Sequence, residues 1–190
     1  MLTMFIDGPI DYDGSQLVSH WIFSQMGKPG DAIVAFIGRC DVKLDHMVDL
    51  VDKRASCKIF SEKMLHFIVE HFDHDLEKMV LRQRLFVAII CEELRALKCA
   101  TPKGATPFAR RGNDIYDGDA KVNVSIATAS PVSTLMHIGV NISSKNTPVK
   151  TKGLADYGID VKTFAEEVMK RYNAEVEGIK EARAKVRWVK

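Results

Sequence analysis

The sequence has few of the features that mark membrane, nucleic-acid-binding or metal-binding proteins. Its longest apolar runs, residues 32–37 and 85–91, are far too short to span a bilayer. The formal net charge of +2 provides no clustered excess of positive charge for nucleic acid or for a membrane surface. The 4 cysteines show no CxxC or other metal-ligand spacing. We therefore expect no membrane contact, no nucleic-acid partner and no bound metal.

The sequence also shows no signal peptide, so free thiols in a reducing cytoplasm are expected rather than disulfides. A length of 190 residues favours one domain that can bury a sizeable core. We predict a single α+β domain over residues 1–190, in which residues 161–190 form a C-terminal helix packed on the rest.

Apolar patterning and the preferences of the residues themselves predict the elements of a mainly antiparallel sheet backed by helices. Outside the region described below, strands are expected over residues 2–6, 31–37 and 64–72. Helices are expected over residues 15–26, 74–98 and 161–185, all packed on the apolar face of the sheet. Residues 38–52 allow two interpretations. Their carboxylates (Asp41, Asp45, Asp49 and Asp52) mark either the solvated face of a helix or a loop that lines a site or holds a cation.

Residues 64–72 carry a pattern, His66-x-x-x-Glu70-His71, that invites a metal-site interpretation. The spacing is neither HExxH nor HxxEH. On a strand, His66 and Glu70 would share a face roughly 13 Å apart, while His71 would point to the other face. Because one metal ion cannot bind all three side chains, we expect no metal here.

Three consecutive antiparallel strands are predicted between residues 108 and 143. Asp117-Gly118 matches a two-residue type I′ turn, which requires φ > 0 at both central residues. That turn would place Asp114 directly opposite Lys121 on the same face. Apolar residues then alternate over residues 120–126 and again over residues 133–143.

This alternation gives the predicted sheet one apolar face and one polar face. Gly112 and Gly139 fall on the polar face, where the lack of a side chain would let a ligand approach the backbone. Two interpretations of that face remain open, the floor of a pocket and an ordinary solvated sheet face. The polar face is predicted to carry Arg110, Asp114, Lys121, Asn123, Ser125, His137 and Asn141.

Parts of the sequence resemble two known families. Residues 14–21, 40–50, 64–73 and 81–85 together resemble a small prokaryotic family known as a domain of unknown function. More remotely, Asn113-Asp-Ile-Tyr-Asp-Gly-Asp-Ala-Lys121-Val is similar to the "N-D-I … G-x-K-[IV]" hairpin of lipoate and biotin protein ligases. His137-Ile-Gly-Val-Asn-Ile142 is similar to the "I-G-x-N-[IV]" strand that follows that hairpin in the ligases.

The second resemblance implies an antiparallel sheet backed by helices, related to class II aminoacyl-tRNA synthetase catalytic domains, with the active site on the open sheet face. By that likeness Lys121 matches the lysine that contacts the acyl-adenylate, and Asn141 matches the strand asparagine. The chain departs from the ligase pattern in two places. The glycine-rich ligand loop is absent, with residues 38–41 in its place in chain order. Lys152-Gly153 occupies the position of the nucleophilic cysteine of related octanoyltransferases.

Together, these observations predict a site on the polar sheet face. Lys121 and Asp114 would be the catalytic residues, and residues 38–46 would form one wall. Arg39 or Arg110 would bind phosphate through both guanidinium arms. The predicted ligand-binding residues are Arg39, Asp41, His46, Arg110, Asn123, His137, Gly139 and Asn141.

Two functions are compatible with this site. One is an acyl- or nucleotidyl-transfer enzyme that acts on a small carboxylate, with ATP as its candidate cofactor. The presence of Lys121 favours this enzyme. The other is a non-catalytic module that binds a small ligand or a protein, which the missing glycine-rich loop favours. The expected partner is a small carboxylate or a nucleotide, and a homodimer remains an open alternative.

Overall fold

A five-stranded sheet forms the centre of the protein in a computed structural model that describes residues 1–99 and 108–189. In chain order the elements are β1 (Leu2–Pro9), α1 (Trp21–Met26), β2 (Ala32–Asp41), α2 (Leu50–Arg54), β3 (Phe60–His71), α3 (Leu76–Cys99), β4 (Ala109–Arg111), β5 (Asp114–Asp117), β6 (Ala120–Lys121), β7 (Asn123–Ala129), β8 (Thr134–Asn141) and α4 (Val161–Ala184), with short 3₁₀ helices at Leu44–His46 and Leu154–Tyr157. The main sheet has the strand order β1-β2-β3-β8-β7. Among its described strands only β1 and β2 pair in parallel, so the sheet is mainly antiparallel, as predicted.

Helices α3 and α4 cover the inner face of this sheet. Leu65 of β3 and Ile138 of β8 pack there with Phe86 of α3 and Tyr172 of α4 in one buried cluster. The Asp160 carboxylate caps α4 by accepting a hydrogen bond from the backbone of the helix's first turn. The helices predicted over residues 74–98 and 161–185 are therefore confirmed, apart from their terminal residues. No helix in the described part of the chain is long and apolar enough to cross a membrane.

The outer face of the sheet, which carries Val34 and Ile68, is covered as well. Tyr12, Leu17 and Ile22 pack against it in a second buried cluster. The prediction of a helix over residues 15–26 is wrong, because only the last six residues of that described stretch, Trp21–Met26, are α-helical. This helix also packs on the outer face and not beside α3 and α4.

Local hydrogen bonds explain why α1 is short. The Asp13 carboxylate accepts hydrogen bonds from both the backbone N–H and the hydroxyl of Ser15, which fixes a turn. His20 adopts a left-handed conformation with φ of 67°, and its backbone N–H donates to the Glu70 carboxylate of β3. Because a left-handed residue interrupts a right-handed helix, α1 begins only after His20.

The hairpin turn lies one residue later than predicted. β5 and β6 pair as Tyr116↔Lys121 and Asp117↔Ala120, in a separate small sheet with β4. The loop residues are therefore Gly118 and Asp119, and φ is positive only at Gly118, as in a type II′ turn. The predicted direct pairing of Asp114 with Lys121 is wrong. The two side chains are diagonal neighbours on one face, where they still form an ion pair.

The chain passes from the small sheet to the main sheet at Val122, and this breaks the predicted alternation. The Val122 N–H donates to the Ile115 carbonyl in the small sheet, and the Val122 carbonyl accepts from the Asn141 N–H in the main sheet. Val122 packs in the inner cluster, whereas Val124 packs in the outer one. The prediction that alternate residues from 120 to 126 share one apolar face is therefore wrong.

Residues 42–59, called the strap below, cross the outer face between β2 and β3. They contain a 3₁₀ helix and α2, separated from each other, and not one long helix with an acidic face. Asp49 caps α2 by accepting hydrogen bonds from the N–H groups of Val51 and Asp52. Of the two interpretations left open for residues 38–52, the single acidic helix is absent: residues 38–41 belong to β2, and two short helices with connecting residues follow.

Gly38 allows residues 9–12 to lie directly against β2. The Tyr12 N–H donates to the Arg39 carbonyl at 2.8 Å, so this segment follows the strand closely. A Cβ atom on Gly38 would overlap with the backbone carbonyl of Ile10. The absence of a side chain at Gly38 thus holds Tyr12 over the outer face.

Gly38→Ala is expected to lower the free energy of unfolding by about 2 kcal/mol or more, because the added methyl group would push two backbone segments apart. The matched control is Gly178→Ala in α4, where nothing lies within 4 Å of an added Cβ. That control should raise the free energy of unfolding by roughly 0.5–1 kcal/mol, since alanine is the better helix former. Urea unfolding measures both changes. Similar effects at the two positions would contradict the tight contact at Gly38.

Candidate functional site

A cavity lies on the outer face of the main sheet, beneath the strap and beside residues 147–151. Its volume of about 460 Å³ is within the range typical of small-molecule sites, roughly 300–1,000 Å³. The strands β3, β7 and β8 supply the floor, and the small sheet supplies one end. The lining includes Tyr12, His46, Asp49, Asp52, Lys58, Met64, Asp114, Lys121, Val124, Ile126, His137, Asn141 and Thr151.

Two stacked rings dominate the floor of the cavity. The Tyr12 and His137 rings have centroids 3.8 Å apart and planes only 9° from parallel. Val124 and Ile126 of β7 lie beside them, and Asn141 contributes an amide at the end of β8. The floor therefore combines apolar side chains with polar groups, among them the His137 imidazole and the Asn141 amide.

A second imidazole lies behind the first. The Nδ1 atom of His66 is 3.0 Å from the Nε2 atom of His137, and both residues are buried. Burial lowers the pKa of His66 to about 3, with only partial opposition from the Gly38 backbone. Burial also holds the pKa of His137 well below its ordinary value, and the neighbouring His66 lowers it further. Both imidazoles are therefore neutral at pH 7, and one donates a hydrogen bond to the other.

An ion pair stands at the end of the cavity formed by the small sheet. The Nζ atom of Lys121 is 3.0 Å from the Asp114 carboxylate, and both side chains remain about a quarter exposed. The backbone around Lys121 is fixed by residues 150–152. The Lys121 N–H donates to the Lys150 carbonyl, and the Lys121 carbonyl accepts from the Lys152 N–H. The ammonium group is thus held in place but accessible from the cavity.

The formal charges around the cavity nearly cancel. Lys58 and Lys121 are its lysines, while Asp49, Asp52 and Asp114 are its aspartates. The Asp49 carboxylate is engaged at the N-terminus of α2, where the helix dipole favours negative charge. The described lining residues therefore offer no large excess of positive charge to a polyphosphate.

Comparison with known proteins identifies the family. The model of the domain of unknown function DUF366 matches residues 1–187. The chain belongs to this family. A protein of unknown function from Pyrococcus horikoshi is 38% identical, with a TM-score of 0.90 over 99% of this chain and 98% of that one.

More distant structures show which fold the family has. Biotin protein ligase from Aquifex aeolicus aligns with a TM-score of 0.60 at 15% identity, over 95% of this chain and 71% of that one. A lipoate-protein ligase A bound with ATP aligns with a TM-score of 0.53 at 13% identity, over 92% and 85% of the two chains. The resemblances drawn from the sequence are confirmed, and the α+β fold is that of biotin and lipoate protein ligases.

The structure brings some of the predicted site residues together in this DUF366 protein. Lys121, Asp114, His137, Asn141 and His46 all line the cavity. His46 stands at its rim, where its Nδ1 lies 3.2 Å from the Asp13 carbonyl. Residues 38–46 were predicted to form one wall of the cavity. The strap forms the wall near His46, and residues 38–41 do not line the cavity.

Asn123 and the two glycines have other roles than those predicted. Asn123 borders the cavity, but its amide oxygen accepts from the Ile115 N–H and its amide nitrogen donates to the Asn113 carbonyl. Gly112 lies in the turn between β4 and β5 with φ of 62°. A Cβ on Gly139 would collide with the sulfur of Met64, so protein already fills the space that was predicted for a ligand.

The two predicted phosphate-binding arginines do not line the cavity. Arg39 forms an ion pair with Asp41 at 2.8 Å, and its guanidinium lies 5.0 Å from the Phe60 ring centroid. Arg110 donates to the Gly112 carbonyl at 2.7 Å. Arg39, Asp41 and Arg110 are thus part of the surrounding surface, with partners of their own.

Several lining residues have little signal in the sequence. Tyr12 lies in a turn-rich segment that predicts only a loop. Lys58 lies in the strap, and Thr147, Pro148, Val149 and Thr151 lie in an irregular stretch. An isolated parallel bridge joins Thr151 to Lys121, and no periodic pattern in the sequence indicates this return of the chain.

The histidine-rich strand divides its polar side chains between partners on both faces of the sheet. His66 meets His137 on the outer face, whereas His71 contacts Asp31 and Tyr172 on the other. The predicted strand and its opposed histidines are confirmed. Within the described ranges, no three potential metal ligands come together.

The free energy of unfolding is expected to fall as pH drops from 6 to 4, because unfolded histidine takes up a proton near pH 6.5 and folded His66 does so only near 3. Stability from this site is fully present above pH 6.5. It is lost at about 1.4 kcal/mol per pH unit as the pH falls toward 3. His66→Asn, which cannot titrate, should reduce the slope by about that amount in urea unfolding at several pH values. His74→Gln, at an exposed histidine, is the matched control. An unchanged slope in His66→Asn would contradict a neutral buried His66.

Proposed function

We propose that the protein binds a small carboxylate in the cavity and that Lys121 is the residue that binds the carboxylate group. The main support is the position of the Lys121 ammonium, which is accessible from a small-molecule-sized cavity and is held by Asp114 at 3.0 Å. An ammonium group in a partly desolvated site attracts a carboxylate more strongly than it does in water. The ligase-like hairpin that carries Lys121 supports the same assignment.

The chemistry that we propose for this site is acyl or nucleotidyl transfer. Lys121 would stabilise the negative charge that develops on carboxylate or phosphate oxygens in the transition state. Asp114 would fix the direction of the ammonium group, and His137 and Asn141 would orient the rest of the ligand. ATP is the co-substrate that this chemistry would require if the carboxylate is activated as an acyl-adenylate.

One observation favours the second candidate function, a module that binds the ligand without catalysis. The phosphate groups of a nucleotide need several positive charges or backbone donors. Arg39 and Arg110 have partners outside the cavity, and the charges that line it nearly cancel. We therefore base the proposal on carboxylate binding, and a direct assay must decide whether transfer follows.

We also propose the cytoplasm as the compartment, since Cys40, Cys57 and Cys91 are free thiols in the described part of the chain. The partner that we propose is the small carboxylate itself.

Lys121→Ala is expected to abolish stabilisation by small carboxylic acids in a thermal-shift screen run with and without ATP. A ligand at 100 times its Kd adds about 2.7 kcal/mol to the stability of the wild-type protein. The variant without ligand should stay within about 1 kcal/mol of the wild type, because partly exposed ion pairs contribute little to folding.

Lys150→Ala is the matched control, because Lys150 also forms an ion pair with an aspartate but lies outside the cavity. It should keep the full ligand response. Acids that stabilise the wild type are then tested for carboxylate-dependent release of pyrophosphate from ATP. Release that is lost in Lys121→Ala supports the enzyme, and binding without release supports the module. Acid binding that survives in Lys121→Ala would overturn the assignment of Lys121.

A further inference from the structure

Two polar side chains of the cavity lining are buried without a hydrogen-bonding partner from the protein. Tyr12 and Asn141 are each 3% exposed, and both line the cavity. Within residues 1–99 and 108–189, neither the Tyr12 hydroxyl nor the Asn141 carboxamide forms a hydrogen bond. Neither group is fully enclosed by protein, in contrast to the Nε2 atom of His66. The open side of each group is therefore assigned to the cavity that both residues line.

Equivalent buried groups elsewhere in the protein do have partners. Asn123 borders the same cavity, yet its amide oxygen accepts from the Ile115 N–H at 2.6 Å and its amide nitrogen donates to the Asn113 carbonyl at 3.1 Å. The hydroxyl of the buried Tyr172 lies 3.0 Å from the Nε2 atom of His71. Because buried polar groups in folded proteins are normally paired, the two unpaired groups in the cavity call for partners from its contents.

The other hydroxyl groups of the lining are already engaged. The Ser125 hydroxyl donates to the Asn113 carbonyl at 3.0 Å. The hydroxyls of Thr147 and Thr151 are 2.8 Å apart. Among the buried hydroxyls and amides of the described lining, the unused hydrogen-bonding capacity thus belongs to Tyr12 and Asn141.

The two unpaired groups lie at different points along the floor. The Asn141 N–H donates to the Val122 carbonyl, which places Asn141 opposite the residue that follows Lys121. The Tyr12 ring stacks on His137, farther along the same face of β8. A ligand whose carboxylate binds the Lys121 ammonium would therefore meet Asn141 close to its carboxylate and Tyr12 farther along its length.

We propose that the cavity selects a carboxylic acid whose body carries hydrogen-bonding groups such as an amide or a hydroxyl, and that Tyr12 and Asn141 impose this selection against acids with a plain alkyl chain. The inference rests on the proposed function in one respect, that Lys121 binds the carboxylate. The selection does not depend on a single arrangement of hydrogens. A carboxamide has both donors and an acceptor, and a neutral phenol hydroxyl can donate and accept.

Unpaired buried groups make a plain alkyl chain a poor match for this cavity. Water that fills a volume of about 460 Å³ can pair with both groups when no ligand is bound. An alkyl chain displaces that water and offers no hydrogen bond in return, whereas an amide or hydroxyl of the ligand restores the lost bonds. Val124 and Ile126 contribute apolar contacts to either kind of acid and so do not discriminate between them.

The pairing of the Tyr12 hydroxyl can be tested first in the protein without ligand. Tyr12→Phe should leave the midpoint of urea unfolding unchanged or raise it, because the ring still stacks on His137 and the lost hydroxyl has no protein partner. Tyr172→Phe is the matched control, and it should lower the midpoint because a buried nitrogen of His71 loses its partner. Equal losses in the two variants would show that the Tyr12 hydroxyl is paired within the protein, and would overturn the proposal.

The selection itself can be tested by calorimetric titration with matched acids. N-butanoylglycine and heptanoate have chains of equal length and differ by an amide in place of two methylene groups; N-acetylglycine and pentanoate form a second such pair. The wild-type protein should bind the amide acid of each pair at least about tenfold more tightly. The double variant Tyr12→Phe, Asn141→Leu should lose or reverse this preference, while Lys150→Ala should keep it. If the double variant does not fold, the two single variants carry the comparison.

The outcomes separate this inference from the proposed function. Equal binding of heptanoate and N-butanoylglycine by the wild type, or a preference that persists in the double variant, would overturn the inference and leave the role of Lys121 standing. A preference that is lost in the double variant, beside acid binding that survives in Lys121→Ala, would overturn the role of Lys121 and leave the selection by Tyr12 and Asn141 standing. Failure of all these acids to bind the wild type would contradict both.

Discussion

The contact between residues 9–12 and β2 is the constraint on which the cavity depends. Gly38 lets the Ile10 carbonyl approach the strand more closely than any side chain would permit. That approach holds Tyr12 over the outer face, where its ring stacks on His137. The position of Tyr12 on the cavity floor therefore depends on the absence of a side chain at Gly38.

Polar groups buried on β3 show how the same strand serves both faces of the sheet. The Glu70 carboxylate accepts hydrogen bonds from the His20 backbone and from the Ser133 hydroxyl, and so ties the outer cover to the sheet. On the inner face, Asp31 and Tyr172 satisfy the two nitrogens of His71. A hydrogen bond from the His71 ring is the largest cause that holds the pKa of Asp31 below its ordinary range. Glu70 and His71 thus each fix one neighbouring segment, because leaving these buried groups unpaired would cost more than the contact contributes.

The electrostatics of the cavity differ from those of a site built to hold a polyphosphate. Its two lysines are balanced by aspartates, and the nearby arginines are engaged elsewhere. The fold is shared with biotin and lipoate protein ligases, but a shared fold does not carry a shared reaction. The cavity instead presents the Lys121 ammonium at one end and the neutral His137 imidazole on its floor. Both are directed by hydrogen bonds or ion pairs that the protein itself completes.

The sequence alone predicts the elements whose signal is local and periodic. The helices over residues 74–98 and 161–185 follow from their apolar runs and stripes, because an apolar face must be buried wherever it lies. The strand over residues 64–72 follows from its aromatic and β-branched residues. The hairpin near Gly118 follows from turn chemistry, although its register shifts by one residue, since a glycine suits more than one type of two-residue turn. The shared face of Asp114 and Lys121 survives that shift, because diagonal neighbours on paired strands remain on one side.

Only the tertiary structure decides the rest of the site. The side on which Asn123 lies depends on the change of sheet at Val122, which interrupts the alternation and has no marker in composition. The space beside Gly139 is taken by Met64, a residue 75 positions away in the chain and adjacent only across the strand pair. Tyr12, the strap and the segment around Val149 and Thr151 reach the cavity through contacts that are distant in sequence. The sequence determines which segments must bury an apolar face; the packing of those segments determines which polar groups they leave facing the cavity.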